Sequence, residues 1–250
     1  MKRVHMVMQG KGGVGKTLVS SLLTQYYKSK EIKVMCFDTD PVNATFYGYK
    51  SFNVELIELT ENNKIIPRNF DKLIDKISIS DSSEIIIDNG ASTFLPLLDY
   101  LLDNHIPEIF SEIGETQLCC HSIITGSQGM LDTLNGLNEL ISNFVRTGNK
   151  LTNVKFYVWL NSYFGPIEYD GKNFFDMKIY LNNVENISQV FELPNLEAST
   201  YGYDYSEILK TKITFYEAYN DTKRSIVVRQ RLKNLEKRLF DLLNNGELKC

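Results

Sequence analysis

The sequence predicts an α/β fold, a three-layer sandwich in which a mostly parallel sheet carries helices on both faces. Three observations lead there. Short apolar runs alternate with stretches of helical spacing along most of the chain. Several runs are apolar throughout rather than alternately, as strands covered on both faces are. A glycine-rich loop joins the first run to the first helical stretch, the connection expected inside a βαβ unit.

The elements follow in order. Val4–Met8 is a short apolar strand. Lys16–Ser29 is a helix, with Leu18, Leu22, Leu23, Tyr26 and Tyr27 on one side. "IKVMCFD" (32–38) reads as a buried strand and "NVELIEL" (53–59) as another. "RNFDKLIDKI" (68–77) is helical and "EIIID" (84–88) a strand. Helices are expected at about 95–104 and 107–113, then a strand at "QLCCHSIIT" (117–125). A helix at 129–144 leads to the strand "NVKFYVWLN" (153–161). A variable region follows, and a last helix runs from about 223 to 244. With no repeat, low-complexity tract or Pro/Gly-rich linker, the expectation is one domain, 1–250.

Composition narrows the function classes. The chain has 250 residues, 43% hydrophobic and 23% charged, with a formal charge of −4. That balance argues against non-specific nucleic-acid binding by the molecule as a whole. The first apolar run is too short for a secretory leader, and no stretch reaches the roughly 20 apolar residues of a spanning helix. Cys36, Cys119, Cys120 and Cys250 form no CxxC pattern. They read as buried, reduced thiols of a cytoplasmic protein. His5, His105 and His121 are scattered, and no metal site is expected among them.

"GKGGVGKT" (10–17) fits the phosphate-loop pattern GxxxxGK[ST] in the required place between strand and helix. Glycines let backbone N–H groups curl round phosphates, and the helix N-terminus adds its dipole. The candidate nucleotide contacts are Gly10, Lys11, Gly12, Gly13, Val14, Gly15, Lys16, Thr17 and Leu18. Lys16 is expected to reach the β- and γ-phosphates and Thr17 to bind Mg²⁺. A phosphate loop needs one lysine, and Lys11 is a second.

"KGGVGKT" resembles the deviant Walker A ATPases, the family of ParA, MinD and the nitrogenase iron protein. The resemblance implies that Lys11 is the signature lysine, contacting nucleotide across an ATP-bound homodimer. It makes "FDTDP" (37–41) the first switch, with Asp40 orienting the attacking water and Asp38 near the magnesium shell. "EIIIDNGAS" (84–92) becomes the Walker B strand, with Asp88 holding a magnesium-bound water, but "DNGAS" stands where many members have proline-containing turns. Asn161 takes the place of an adenine contact. Lys11, Lys16 and Asp40 are then the catalytic set, Thr17, Asp38 and Asp88 the metal set, and ATP with Mg²⁺ the cofactors.

A closer resemblance, carried by "DTDPVNATF", "WLNSYFGPIE", "TYGYD" and "RQRLK", is to the ATPase-like proteins of plasmid conjugation regions. It implies conjugation or relaxosome proteins as partners. Two other readings keep the same loop. One is a partition-type module using the basic last helix (Lys223, Arg224, Arg229, Arg231, Lys233, Lys237, Arg238) on DNA. The other is a small-molecule kinase, for which no second substrate pocket is marked. A membrane role is not expected, because "NNGELKC" lacks a basic-hydrophobic tip.

Overall fold

The computed structural model describes residues 1–62, 64–113, 115–146 and 152–248. Seven strands form one parallel sheet: β1 (Arg3–Val7), β2 (Val34–Asp38), β3 (Glu55–Leu56), β4 (Glu84–Asp88), β5 (Gln117–Thr125), β6 (Val154–Asn161) and β7 (Ile187–Glu192). Their order is β7-β6-β5-β1-β4-β2-β3, so the first strand lies at the centre. Besides the single turn Lys178–Leu181, the helices of the described residues are α1 (Lys16–Ser29), α2 (Phe70–Ile79), α3 (Phe94–Asp103), α4 (Ile106–Glu112), α5 (Met130–Arg146), α6 (Tyr201–Thr211), α7 (Phe215–Asn220) and α8 (Ile226–Asn244).

Strand periodicity sorts the core into two apolar layers. Val4, Met6, Ile85, Ile87, Leu118, Cys120, Phe156 and Val158 face the layer closed by α2–α5. Val7, Ile86, Cys119, Ile123, Tyr157 and Trp159 face the layer closed by α1 and α6–α8. The three-layer expectation is therefore met.

The second layer holds a polar chain across the sheet. Arg3 Nη2 donates to Glu84 Oε1 at 2.6 Å, and His5 Nε2 lies 2.8 Å from Glu84 Oε2. His5 Nδ1 is 2.9 Å from His121 Nε2, and Trp159 Nε1 donates to His121 Nδ1 at 3.0 Å. Because Trp159 can only donate, His121 carries its proton on Nε2 and passes it toward His5 Nδ1. His5 then donates from Nε2 to Glu84. His5 and His121 are thus not scattered but paired in the core; His105 is elsewhere, at the start of α4.

Other expectations shift. Only Glu55–Leu56 of 53–59 pairs in the sheet, at its edge beside β2. The helix expected at 68–77 occupies 70–79, after a short turn of 3₁₀ helix begun by Pro67. The region left unassigned after residue 161 contributes edge strand β7, and also α6 and α7. α7 is closed by a capping box: Glu217 N donates to Thr214 Oγ1 at 3.1 Å, and Thr214 N to Glu217 Oε2 at 2.7 Å. α8 begins at Ile226 behind the Ser225 cap, and its buried stripe is Leu232, Leu235, Leu239 and Leu243, with Leu242 only partly covered. Cys36, Cys119 and Cys120 are buried free thiols, and burial pushes Cys36 up to about 11 and Cys119 to about 12. Cys250 lies outside the described residues.

Candidate phosphate-binding site

Register brings the candidate residues to one end of the sheet. Val7 is level with Asp88, and Asp88 with Asp38, so the loop after β1 and both aspartates meet at the carboxyl ends of three adjacent strands. In open parallel sheets that edge is where ligands bind.

The loop is a cradle built from glycine. Gly13 and Gly15 have φ of 74° and 109°, which side chains with a Cβ rarely adopt. A Cβ on Gly12 or Gly13 would touch nothing within 4 Å, so the backbone there fronts open space. That space is a cavity of about 550 Å³, floored by Lys16 and Thr17 and walled by Asp40, Thr45 and Ser92. Lys16 is 9% exposed, and its Nζ donates to the Lys11 carbonyl at 3.0 Å. Burial lowers its pKa, against the opposing pull of Asp88 and Asp40.

At the floor, Thr17 Oγ1 donates to Asp88 Oδ2 at 2.5 Å, and Ser20 Oγ to Asp88 Oδ1 at 2.9 Å. Burial pushes the Asp88 carboxyl up to about 7, with Asp38 adding to the rise while Thr17, Ser20 and Lys16 oppose it. Asp38 is fully buried. Its oxygens accept from Asp40 N and Tyr47 N, both at 2.9 Å, closing the segment 38–47 into a loop. Asp40 Oδ1 accepts from Val42 N at 2.9 Å and Asn43 N at 3.0 Å. Gly90 is pressed against Asp40: a Cβ there would lie 3.0 Å from Asp40 Cα and Cγ.

Hydroxyl and carboxylate groups make an oxygen-only donor set at the floor, which fits a hard divalent cation. Thr17 and Asp88 would hold Mg²⁺, with Asp38 one strand away.

Two candidates sit differently from the rest. Lys11 leaves the cradle, and its Nζ donates to Asp132 Oδ2 on α5 at 2.8 Å. Asn161 Nδ2 donates to the Val14 carbonyl at 2.9 Å, and its Oδ1 accepts from Tyr163 N at 3.2 Å. The structure therefore places Asn161 against the loop backbone.

Sequence reasoning missed three residues. Ser20 is one turn beyond Thr17 on α1, so helical spacing could have shown it. Gln9 carries no such signal. Its Nε2 lies 3.1 Å from the Ile123 carbonyl and 3.0 Å from the Thr133 carbonyl, while its Oε1 accepts from Gly10 N at 2.9 Å. Asn89 sits between the hydroxyls of Thr39 and Thr93, at 2.9 and 2.7 Å.

The basic residues of α8 are partly committed. Arg231 Nε donates to buried Asp204 at 2.6 Å, and Lys233 lies over the Tyr219 ring. Lys237 and Arg238 are exposed. Among the described residues no helix is long and apolar enough to cross a membrane.

Comparison with known proteins bears on the family and the fold. The profile of the CobQ/CobB/MinD/ParA nucleotide binding domain matches residues 5–230. A protein TraL of Escherichia coli is 43% identical over 246 residues, 98% of this chain and 99% of the relative. A ParA family ATPase from Chlorobium tepidum TLS shares the fold with a TM-score of 0.54 at 17% identity, covering 98% of this chain and all of that one. A putative plasmid partition protein from Borrelia burgdorferi B31, bound to AMPPNP, gives 0.50 at 14% identity, covering 97% and 98%.

Proposed function

This chain belongs to the CobQ/CobB/MinD/ParA nucleotide-binding domain family, and on that premise we propose that it is a Mg²⁺-dependent ATPase switch serving plasmid conjugative transfer. The observation that carries the reading is the buried Lys16 beneath an open glycine cradle, with Thr17 and Asp88 2.5 Å apart at its floor. The cytoplasm is its proposed location.

In this reading the backbone N–H groups of 12–17 and the Lys16 ammonium bind the phosphates of ATP. Thr17 and, through a bound water, Asp88 would hold Mg²⁺, which would supply positive charge against the phosphate oxygens. Asp40, at the cavity wall, orients the attacking water. Its turn is already fixed by Val42 N and Asn43 N, so little reorganisation is needed. Lys11 exchanges Asp132 for the nucleotide of a second copy, and that contact exists only while a γ-phosphate is present. Hydrolysis removes it and releases the dimer, so nucleotide state becomes assembly state. Asn161 braces the loop at Val14 and flanks the place of the adenine. Conjugation or relaxosome proteins are the proposed partners.

The test is light scattering with ATP–Mg²⁺ and with ADP, for the wild type and Lys11→Ala. The reading expects ATP alone to double the wild-type mass and the variant to stay monomeric. Equal mass in both nucleotides would remove the dimer switch. A second reading, a nucleotide-gated DNA-positioning module, is favoured by the exposed Lys237 and Arg238. It expects an ATP-dependent, salt-sensitive shift of duplex DNA.

A further inference from the structure

Asn89 follows Asp88 at the end of β4 and is 1% exposed. Its side-chain amide bridges two segments of the site. Thr39 stands between Asp38 and Asp40, and Thr93 stands immediately before α3. Both threonines are fully buried. One amide atom lies 2.9 Å from Thr39 Oγ1 and 2.7 Å from Thr93 Oγ1. The same hydroxyl oxygens lie 3.2 Å from the Asp88 carbonyl and 3.0 Å from the Gly90 carbonyl. The other amide atom is buried with no partner among the described residues.

Counting protons decides which amide atom faces the threonines. With Oδ1 toward them, two hydroxyl protons must serve four acceptor contacts, and both protons of Nδ2 are buried without an acceptor. With Nδ2 toward them, its two protons go to the two hydroxyl oxygens. Each hydroxyl proton then goes to its own backbone carbonyl. Four protons meet four acceptors, and the single unpaired group is a carbonyl oxygen, which interiors tolerate better than an unpaired donor.

We infer that Asn89 donates to both Thr39 and Thr93 and is a positioning residue for the ATPase cycle, clasping the segment of Asp38 and Asp40 to the segment of Asp88. This rests on the ATPase reading above. The contact of Gly90 with Asp40 shows that the same segments already touch. The clasp fixes their spacing, on which the placement of Asp40 relative to Asp88 depends. It touches neither the glycine cradle nor Lys16, so phosphate binding is independent of it.

Asn89→Leu keeps the side chain's branched shape and removes both donors without adding a charge. The expected result is a fall of at least tenfold in kcat for ATP, with ADP affinity within twofold of wild type by calorimetry. A purely structural role would weaken ADP binding and turnover together. A second measurement needs no variant to fold. In ¹⁵N-labelled wild type, both Asn89 NH₂ protons should give strong cross-peaks to the β protons of Thr39 and Thr93. Wild-type kcat in Asn89→Leu, or absence of those cross-peaks, overturns the clasp. A wild-type protein that turns over no ATP overturns the ATPase reading instead, and the cross-peaks then decide the clasp alone.

Discussion

Lys11 Nζ donates to Asp132 Oδ2 at 2.8 Å within one chain, and both side chains are about half exposed. An ion pair so wet is worth at most about 1 kcal/mol. It therefore holds the lysine in place without committing it. Asp132→Asn should release Lys11 and tighten the proposed ATP-bound dimer about two- to fivefold, a gain that fades in 0.5 M salt. Sedimentation velocity with ATP–Mg²⁺ reads this directly, and a dimer weakened by the substitution would sink the idea.

The two lysines of the loop should separate cleanly in binding experiments. Lys16 lies under the cradle and Lys11 outside it. Lys16→Ala should cost ADP affinity roughly a hundredfold, as expected for losing a buried charge-assisted contact of about 3 kcal/mol. Lys11→Ala should leave ADP affinity within twofold while abolishing ATP-dependent dimerisation. Equal affinity in wild type and Lys16→Ala would falsify the first assignment.

Asn161 spends its amide on the Val14 carbonyl. If bracing the loop is its main work, Asn161→Ala should weaken ATP and GTP alike. If it also reads the base, the loss should fall mainly on ATP. Titrating both nucleotides against both proteins gives the answer.

Gly136 on α5 leaves no room for a methyl group. A Cβ there would lie 2.1 Å from Gln9 Oε1, the atom that receives Gly10 N at the start of the loop. Gly136→Ala should therefore destabilise the fold by about 1–3 kcal/mol through overpacking. It should also lower nucleotide affinity by displacing Gln9. Urea denaturation and ADP titration check the two halves.

Acid should loosen the sheet from its centre. Burial lowers the pKa of His5 and His121 from the ordinary 6.5; Glu84 opposes the shift at His5 and Arg3 adds to it, while His5 adds to that of His121. The groups facing the pair are Glu84, Trp159, Tyr27 and Tyr157. The unfolded chain then binds protons that these two histidines refuse in the folded chain, so their contribution to stability falls as pH drops below 6.5, against the opposite contribution of Asp88, whose raised carboxyl takes up its proton first in the folded chain. The expected slope is about 1.4 kcal/mol per pH unit for the first imidazole to charge. If His121→Phe loses as much stability as wild type between pH 7.5 and 5.5 in denaturation curves, this wiring is contradicted.

Much of this architecture could be read from residues, and the gaps have physical causes. Strands β1, β2, β4, β5 and β6 announce themselves because burial on both faces forces continuous apolar runs. β7 does not, since "ISQVFE" mixes polar residues into an edge strand that is only half covered. The strand expected over 53–59 is shorter for the opposite reason: beyond Glu55–Leu56 the apolar Ile57 and Leu59 are buried in the core outside the strand. In the site, Lys16, Thr17 and Asp88 sit on a pattern whose spacing has a mechanical reason. Gln9, Asn89 and Asp132 act through partners more than 30 residues away, and no local spacing encodes that.

The sheet order has a consequence for synthesis. β1 carries the phosphate loop, yet its neighbours are β4 and β5, whose pairing begins at Glu84 and Gln117. β2 likewise waits for β4. A nascent chain of 80 residues thus holds the whole "GKGGVGKT" motif and no completed central sheet to anchor it. Nucleotide capture on the ribosome must trail translation of the motif by about a third of the chain. A truncated product ending before Glu84 displays the motif with nothing behind it.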